Sequence, residues 1–246
     1  MEVDVKGKVV LVTGGGSGLG EATARAFGRA GCAVAVVDVR ASAAERVSKE
    51  LAAENIESLP LQCDVSDADG VFKTVAAVIE RFGRIDVIVN NAAVDHTVSV
   101  DEMTIEQWDQ VIAVNLRGPF LLTKAALPTM RQQQYGHIIN IASTAATRAW
   151  ANASAYHATK WGIVGFGRAL GVEGRPDNIR VTTIIPGGMR THFFDRFEAQ
   201  GIPMPDMEKL QDPANVAETM LFAVRMPLQS ALQEVIVTPL NETSWP

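Results

Sequence analysis

The feature of this sequence that most restricts its fold is a regular alternation of short apolar runs with longer helical patterns. Most of the apolar runs are continuous and rich in β-branched residues. Continuous apolar strands are typical of sheets that helices cover on both faces. The seven predicted strands are Val9–Thr13, Ala33–Val39, Ser58–Cys63, Ile85–Asn90, His137–Ala142, Val181–Ile185 and Glu234–Thr238.

Helical patterns fill the intervals between these strands. Helices are predicted at residues 18–30, 41–54, 67–82, 105–132, 154–174 and 213–225, and a break near Pro119 is left open in the fourth. Strand–helix–strand units join parallel strands by right-handed crossovers. The alternation therefore predicts a doubly wound, Rossmann-type α/β fold with a mostly parallel seven-stranded sheet. No linker or repeat interrupts the 246 residues, so we expect a single domain, 1–246.

Residues 188–212 depart from this rhythm. The segment contains glycines and prolines beside aromatic and apolar residues: Gly188, Gly201, Pro203 and Pro205 beside Met189, Phe193, Phe194 and Phe197. Long irregular segments in a compact domain are usually lids or binding loops. We therefore expect a substrate-covering loop here, within the domain.

Charge and composition exclude several classes of function. A formal net charge of −6 argues against binding to nucleic-acid phosphates. No apolar run reaches the ~18 residues of a membrane span. The charged start, Met1–Lys6, leads directly into a strand and resembles no signal peptide. We expect a soluble, cytoplasmic protein without a nucleic-acid or membrane partner. The cysteines and histidines lack metal-ligand spacing, so no metal is expected.

The first strand runs into a glycine-rich turn, Thr-Gly-Gly-Gly-Ser-Gly-Leu-Gly at 13–20, and a helix follows. Glycines let the backbone approach a pyrophosphate, and the helix N-terminus offers free N–H donors to its charge. A plain strand-to-helix turn favours glycine too, but this turn lies at the first βα junction, where dinucleotides bind.

Asp38 lies near the end of the second predicted strand, 18 residues beyond Gly20. A carboxylate at this place accepts hydrogen bonds from the adenosine ribose and repels a 2′-phosphate, which favours NAD over NADP. Arg40 is the opposing observation, since it brings a positive charge two residues later. The alternative is that Asp38 only caps the next helix.

Tyr156 and Lys160 lie four residues apart in a strong helical pattern, and therefore on one helix face. A free tyrosine has a pKa of about 10, and a neighbouring ammonium lowers it toward the range where proton transfer is efficient. Such a pair also occurs by chance. However, Ser143 ends the fifth predicted strand and Asn115 lies in the preceding helix, so polar groups converge where strands of this fold bind ligands.

Taken together and in their order, these motifs resemble those of the short-chain dehydrogenase/reductase family over essentially the whole chain. They are Thr13–Gly20, Asp64-Val65, Asn90-Asn91-Ala92-Ala93, Asn115, Ser143, Tyr156 with Lys160, and Pro186-Gly187 with Thr191. The resemblance implies an oxidoreductase that transfers a hydride between a nicotinamide cofactor and a secondary alcohol or ketone. It also implies a homotetramer, built largely from the helices at 105–132 and 154–174.

The resemblance also implies the roles of single residues. Tyr156 would exchange the proton with the substrate oxygen, and Ser143 would hold that oxygen. Lys160 would bind the nicotinamide ribose and lower the pKa of the tyrosine, while Asn115 would hold a water of the proton relay. The implied cofactor contacts are Gly14, Gly16, Ser17, Gly18, Leu19, Gly20, Asp38, Asp64, Val65, Asn91, Ala92, Tyr156, Lys160, Pro186, Gly187 and Thr191.

The sequence departs from the family pattern in three places. Ala93 replaces a usual glycine, Thr159 replaces a serine, and Gly188-Met189 stands where a small residue and a β-branched one are more usual. None of these changes removes a catalytic group. Because of the change at Gly188-Met189, the family pattern does not define where the covering loop begins.

The substrate is not readable from the sequence. Beside Ser143 and Tyr156, candidate pocket residues are Val94, His96, Thr144, Trp150, Met189, His192, Phe193 and Phe194, and each also has an ordinary role in core or loop packing. Two other functions stay open. One is an NADP-dependent 3-oxoacyl reductase acting on a carrier-bound substrate, which Asp38 disfavours. The other is a non-catalytic dinucleotide-sensing protein, which the intact Tyr156 and Lys160 disfavour.

Overall fold

The apolar runs form the strands of one parallel sheet. The computed structural model describes residues 2–195, 197 and 204–242. Within them the strands are β1 (Val9–Thr13), β2 (Ala33–Asp38), β3 (Ser58–Gln62), β4 (Val87–Asn90), β5 (Gly136–Ile141), β6 (Ile179–Pro186) and β7 (Glu234–Val237). The helices are α1 (Gly18–Arg29), α2 (Ala41–Ala53), α3 (Ala68–Phe82), α4 (Ile105–Ile112), α5 (Gly118–Gln133), α6 (Ser154–Glu173) and α7 (Pro213–Arg225).

The strand order is β3-β2-β1-β4-β5-β6-β7, and every neighbouring pair is parallel. The chain leaves β1 toward one edge through β2 and β3, then crosses back to pair β4 with the other side of β1. The doubly wound fold predicted from the sequence is therefore confirmed. Predicted and observed strand bounds differ by no more than two residues, which is the ordinary uncertainty of strand and helix ends.

Both faces of the sheet are covered, which explains the continuous apolar strands. On β1, Val10 and Val12 belong to the core cluster that includes side chains of α1 and α7. The alternate residues Val9 and Leu11 belong to the cluster that includes side chains of α3 and α5. Successive side chains of a strand point to opposite faces, so a strand covered on both sides requires apolar residues at every position.

The long predicted helix at 105–132 is interrupted by a π-helical turn at Ala113–Arg117, between α4 and α5. The interruption precedes Pro119, which lies in the first turn of α5, where its missing N–H is not needed. π-turns are uncommon and occur often at functional sites. This one carries Asn115.

The ends of the 188–212 segment are joined. Met189 forms an isolated parallel bridge with Gln211. The Gln211 N–H donates to the Gly188 carbonyl, and the Arg190 N–H donates to the Gln211 carbonyl, both at 3.0 Å. Within the segment, residues 196 and 198–203 lie outside the described residues. In the described part of the chain, no helix combines the length and the apolarity that crossing a membrane requires.

Candidate active site

A cavity of about 1130 Å³ opens at the carboxyl ends of the strands, where β1 and β4 part the two halves of the sheet. Ligands of open α/β sheets bind at this switch point. Most of the residues expected to hold a cofactor line the cavity: Gly14, Ser17, Gly18, Leu19, Asp38, Asp64, Val65, Asn91, Ala92, Pro186, Gly187 and Thr191. Ser143, Tyr156 and Lys160 line it too.

The glycine-rich turn forms one wall because its backbone is packed too closely for side chains. Gly14 has φ +61°, and a Cβ on it would lie 2.9 Å from Asn91 Nδ2. A Cβ on Gly20 would lie 2.0 Å from the Gly14 carbonyl oxygen, so α1 starts directly against the turn. The N-cap of α1, Ser17, makes no side-chain cap to the first amides. The helix N-terminus therefore keeps donors for an anionic group, which fits a dinucleotide pyrophosphate.

Asp38 is fixed at the end of β2 by backbone donors. Its Oδ2 accepts from the Gly16 N–H and its Oδ1 from the Arg40 N–H, both at 3.0 Å. Gly16 does not itself line the cavity, but its N–H helps to fix the Asp38 carboxylate there. The N-cap of α2 is Arg40, not Asp38, so the alternative that Asp38 caps this helix does not describe the structure. Arg40 Nε lies 3.6 Å from the carboxylate, while its own side chain is 65% exposed.

Asn91 connects β4 with the glycine-rich turn. Its Nδ2 donates to the Thr13 carbonyl at 2.9 Å, and its backbone N–H donates to Thr13 Oγ1 at 3.0 Å. These bonds hold together the two strands at the switch point. Asn91 therefore connects β1 with the segment after β4.

Tyr156 and Lys160 lie one turn apart on α6, and both are buried. Lys160 Nζ lies 5.2 Å from the centre of the tyrosine ring and donates to the Ile141 carbonyl at 2.8 Å. Burial lowers the pKa of Lys160 to about 8, and the negative charge of Asp95 opposes this shift. At neutral pH the side chain is therefore still mostly a cation beside the tyrosine.

Ser143 ends the buried stretch after β5 and starts a 3₁₀ turn, where its Oγ accepts from the Ala145 N–H at 3.2 Å. A carbonyl of the same turn, that of Ala145, lies 2.8 Å from His157 Nδ1. The Trp150 N–H donates to Nε2 of this ring at 3.2 Å, so Nδ1 is the nitrogen that faces the carbonyl as a donor. His157 thereby ties the loop after Ser143 to α6.

Asn115 lies behind the cavity wall. Its Oδ1 accepts from the Val94 N–H and its Nδ2 donates to the Val94 carbonyl, each at 2.8 Å. The same Nδ2 donates to Thr159 Oγ1 at 3.3 Å, and that hydroxyl donates to the Tyr156 carbonyl at 2.8 Å. Thr159 therefore supplies, at this departure from the family pattern, a hydroxyl that a serine would also supply.

The structure brings most of the candidate substrate residues to the cavity: Val94, Thr144, Trp150, Met189, His192, Phe193 and Phe194. The Phe193 and Tyr156 rings lie 5.6 Å apart. His96 is placed elsewhere. It does not line the cavity, and its Nε2 lies 2.8 Å from Gln110 Oε1.

Several charged residues of the wall were missed by the sequence reasoning, and Asp95 and Arg148 are two of them. Asp95 follows Val94 and lies close to the Asn-Asn-Ala-Ala motif in the sequence. This position could have identified it as a residue of the cavity wall. Arg148 lies in the loop after β5, with Nη2 3.4 Å from Thr144 Oγ1 and 3.5 Å from Glu242 Oε2. No local pattern marked Arg148, because its place depends on how that loop folds.

In the part of the chain that the structure describes, no group of three or more histidine, cysteine, aspartate or glutamate side chains is arranged to hold a metal ion. Both cysteines are buried and unpaired, and burial raises the pKa of Cys32 to about 12. A thiol with so high a pKa is not a nucleophile near neutrality.

Residues 8–201 match the family described as short chain dehydrogenase. The D-threitol dehydrogenase of Mycolicibacterium smegmatis is 40% identical over 180 residues, which are 73% of this chain and 69% of that protein. A metagenomic short-chain oxidoreductase in complex with NADP has a TM-score of 0.84 and 31% identity, covering 96% of this chain and 99% of that one. A 3-ketoacyl-(acyl-carrier-protein) reductase from Brucella melitensis, complexed with NADH, has a TM-score of 0.85 and 32% identity, covering 95% and 97%.

Proposed function

Because this chain belongs to the short chain dehydrogenase family, we propose that its reaction depends on Tyr156 as the proton-transferring residue. The chain is an oxidoreductase that transfers a hydride between a nicotinamide dinucleotide and a secondary alcohol or ketone. The observation that carries the proposal is that Tyr156 and Lys160, buried one turn apart on α6, line one cavity with Ser143.

In the oxidising direction, the substrate hydroxyl gives its proton to the Tyr156 oxygen as the carbon loses its hydride. The bound cofactor supplies the hydride acceptor, and the same groups act in reverse for ketone reduction. A tyrosine works in this role only if its phenolate is stabilised near the operating pH. We propose that the cationic Nζ of Lys160, 5.2 Å from the ring centre, supplies this stabilisation. Ser143 would hold the substrate oxygen toward Tyr156.

Asn115 acts from behind the wall. Its amide fixes the backbone of Val94 and contacts Thr159, one residue before Lys160 in the chain. We propose that this arrangement orients α6 and the segment after β4 toward each other. The water of the proton relay that the family resemblance implies would be bound beside these groups.

The preferred cofactor in this proposal is NAD. Asp38 is buried at the adenosine end of the cavity, where its charge opposes a 2′-phosphate. The solved structures that this chain resembles include one with NADP and one with NADH, so the family does not decide the preference. The likeness to a 3-ketoacyl reductase keeps a 3-oxoacyl reductase as the second candidate. That function predicts turnover of acyl thioesters instead of free alcohols.

We further propose a homotetramer. Large apolar side chains of the helices named for the interface are exposed: Ile105, Trp108, Phe120, Trp161 and Val172. Trp161 is 57% exposed, one residue beyond the buried Lys160. Large apolar patches on a protein surface usually mark an interface, and we propose that these side chains form one. The two unpaired cysteines are in keeping with a reducing compartment, and we propose the cytoplasm.

The test is an assay of secondary alcohols, sugars, hydroxysteroids and 3-oxoacyl thioesters with NAD(H) and with NADP(H), followed at 340 nm. We expect oxidation of at least one free secondary alcohol, with a higher kcat/KM for NAD. Turnover of thioesters alone, with NADPH, would establish the 3-oxoacyl reductase instead. Cofactor binding without turnover of any substrate would establish the non-catalytic alternative.

A further inference from the structure

We propose that Arg46, on α2, is a positioning residue for cofactor binding, because its guanidinium holds the glycine-rich turn in the shape that receives the dinucleotide pyrophosphate. Arg46 does not line the cavity, so it acts on the cofactor through the turn. The proposal rests on the dinucleotide binding of the function proposed above. It names a residue that sets the affinity for the ADP half of the cofactor.

Arg46 reaches the glycine-rich turn from outside the cavity. Its Nη2 donates to the Gly16 carbonyl at 2.9 Å. On the other side of the same residue, the Gly16 N–H donates to Asp38 Oδ2 at 3.0 Å. Both peptide groups that flank the Gly16 Cα are therefore held, one by the end of β2 and the other by α2.

Gly16 can be held only through its peptide groups. A Cβ at this position would lie 2.6 Å from Ala43 Cβ and 2.7 Å from Asp38 Oδ2, so no side chain fits that could anchor the turn. A glycine backbone has more conformational freedom to lose than that of any other residue. If this freedom were lost only when the cofactor binds, the loss would weaken the binding.

The bond from Arg46 also sets the direction of the next amide. The peptide bond between Gly16 and Ser17 is trans and planar, so its carbonyl and its N–H point in opposite directions. Because the carbonyl is directed at Arg46, the Ser17 N–H is directed away from it. Ser17 is the N-cap of α1 and lines the cavity. An amide at the helix end where an anionic group binds is therefore oriented by a residue outside the cavity wall.

Two carboxylates fix the guanidinium of Arg46. Its Nη2 donates to Glu21 Oε2 on α1 at 2.6 Å, and its Nη1 donates to Glu50 Oε1 on α2 at 3.0 Å. Arg25 pairs with the same two carboxylates. Arg46 is exposed, and exposed ion pairs contribute little to stability. The planar fork of an arginine instead gives these pairs a directional effect, which aims Nη2 at the turn.

The experiment compares the wild type with Arg46→Met and with Arg29→Met. Arg29 is the matched control, because it is an exposed arginine of α1 whose guanidinium bonds to Glu54, just after α2, at 2.8 and 3.1 Å. The dissociation constants of NADH and of ADP are measured by fluorescence and calorimetry, at low salt and in about 1 M NaCl, where the Debye length is ~3 Å. ADP tests the turn without the nicotinamide. The kcat and the KM for NAD are measured on the best substrate.

We expect Arg46→Met to weaken the binding of NADH and of ADP about five- to thirtyfold, the effect of leaving the backbone of one residue unfixed. The KM for NAD should rise by a similar factor while kcat at saturating NAD stays nearly unchanged, since the chemical step does not involve the turn. Arg29→Met should leave all of these constants nearly unchanged. The loss in Arg46→Met should persist at high salt, because it comes from position and not from a screened attraction.

Three results would overturn the inference and leave the oxidoreductase proposal intact. They are unchanged dissociation constants in Arg46→Met, an equal loss in Arg29→Met, and a loss that disappears at high salt. A wild type that binds neither NAD(H) nor NADP(H) refutes both the inference and the proposed function.

Discussion

Replacing Lys160 by methionine should abolish activity and stabilise the apoprotein. The side chain is buried, and burial lowers its pKa from 10.5 to about 8. Each pKa unit corresponds to 1.36 kcal/mol, so the charged lysine costs the folded state ~3 kcal/mol at neutral pH. Loss of its bond to the Ile141 carbonyl offsets ~1 kcal/mol of this gain. A net stabilisation of ~2 kcal/mol corresponds to a rise in Tm of about 4 to 8 °C for a domain of this size.

The sign of the pH dependence follows from the same shift. Below about pH 8 the lysine is charged in both states, and the full cost of its burial applies. Between about pH 8 and 10.5 the unfolded chain binds the proton that the folded chain has lost, so the wild type gains stability as pH rises. The advantage of Lys160→Met should therefore shrink across this window, vanish at pH ~9.5 and give way to a deficit of ~1 kcal/mol near pH 10.5, because the bond to the Ile141 carbonyl is still missing.

The assay is urea unfolding of the cofactor-free protein at a fixed chain concentration, at several pH values from 7 to 10.5. The matched control is Lys73→Met on α3, an exposed lysine whose replacement should change stability by less than ~0.5 kcal/mol. A Lys160→Met variant that is less stable than the wild type at pH 7 would refute the reasoning. So would a stability gap that does not depend on pH.

Three further outcomes are expected. Asp38→Ala should lower the preference for NAD over NADP about 30- to 150-fold, the effect of removing ~2–3 kcal/mol of charge repulsion. Fluorescence titration with both cofactors measures this preference, and an unchanged preference would contradict the prediction. At micromolar concentration the chain should sediment as a tetramer and Trp161→Glu as a smaller species, whereas a wild-type monomer would refute the interface. Hydrogen exchange in 188–212 should slow when cofactor and substrate bind together; unchanged protection would identify a static segment.

The sequence predicted the fold well because the strands are covered on both faces. A residue such as Leu11 and its neighbour Val12 enter opposite core clusters, which leaves a continuous apolar signal. The glycine-rich turn was predictable for a similar reason, since no side chain fits at Gly20. These signals are local, because each residue type is required by its immediate backbone environment.

The substrate side was less predictable because its contacts are distant in sequence. Val94, the neighbour of Asp95, is held by Asn115, which lies 21 residues later, and Arg148 contacts Thr144 and Glu242. His96 was a candidate from its place beside the motif, but its ring meets Gln110 instead. A pocket wall assembled from several loops leaves no periodic pattern, so its residues become visible only when the loops are placed.

The most direct test of the central claim is kcat of Tyr156→Phe compared with Tyr135→Phe. The chain has two tyrosines, and Tyr135 packs under Lys8, with the ammonium 3.7 Å from its ring centre, outside the cavity wall. If Tyr156 exchanges the proton, its variant should lose at least about 10²- to 10⁴-fold in kcat while NAD(H) affinity stays nearly unchanged. Tyr135→Phe should keep nearly full activity. A Tyr156→Phe enzyme that keeps more than about a tenth of the wild-type kcat on its best substrate would contradict the account.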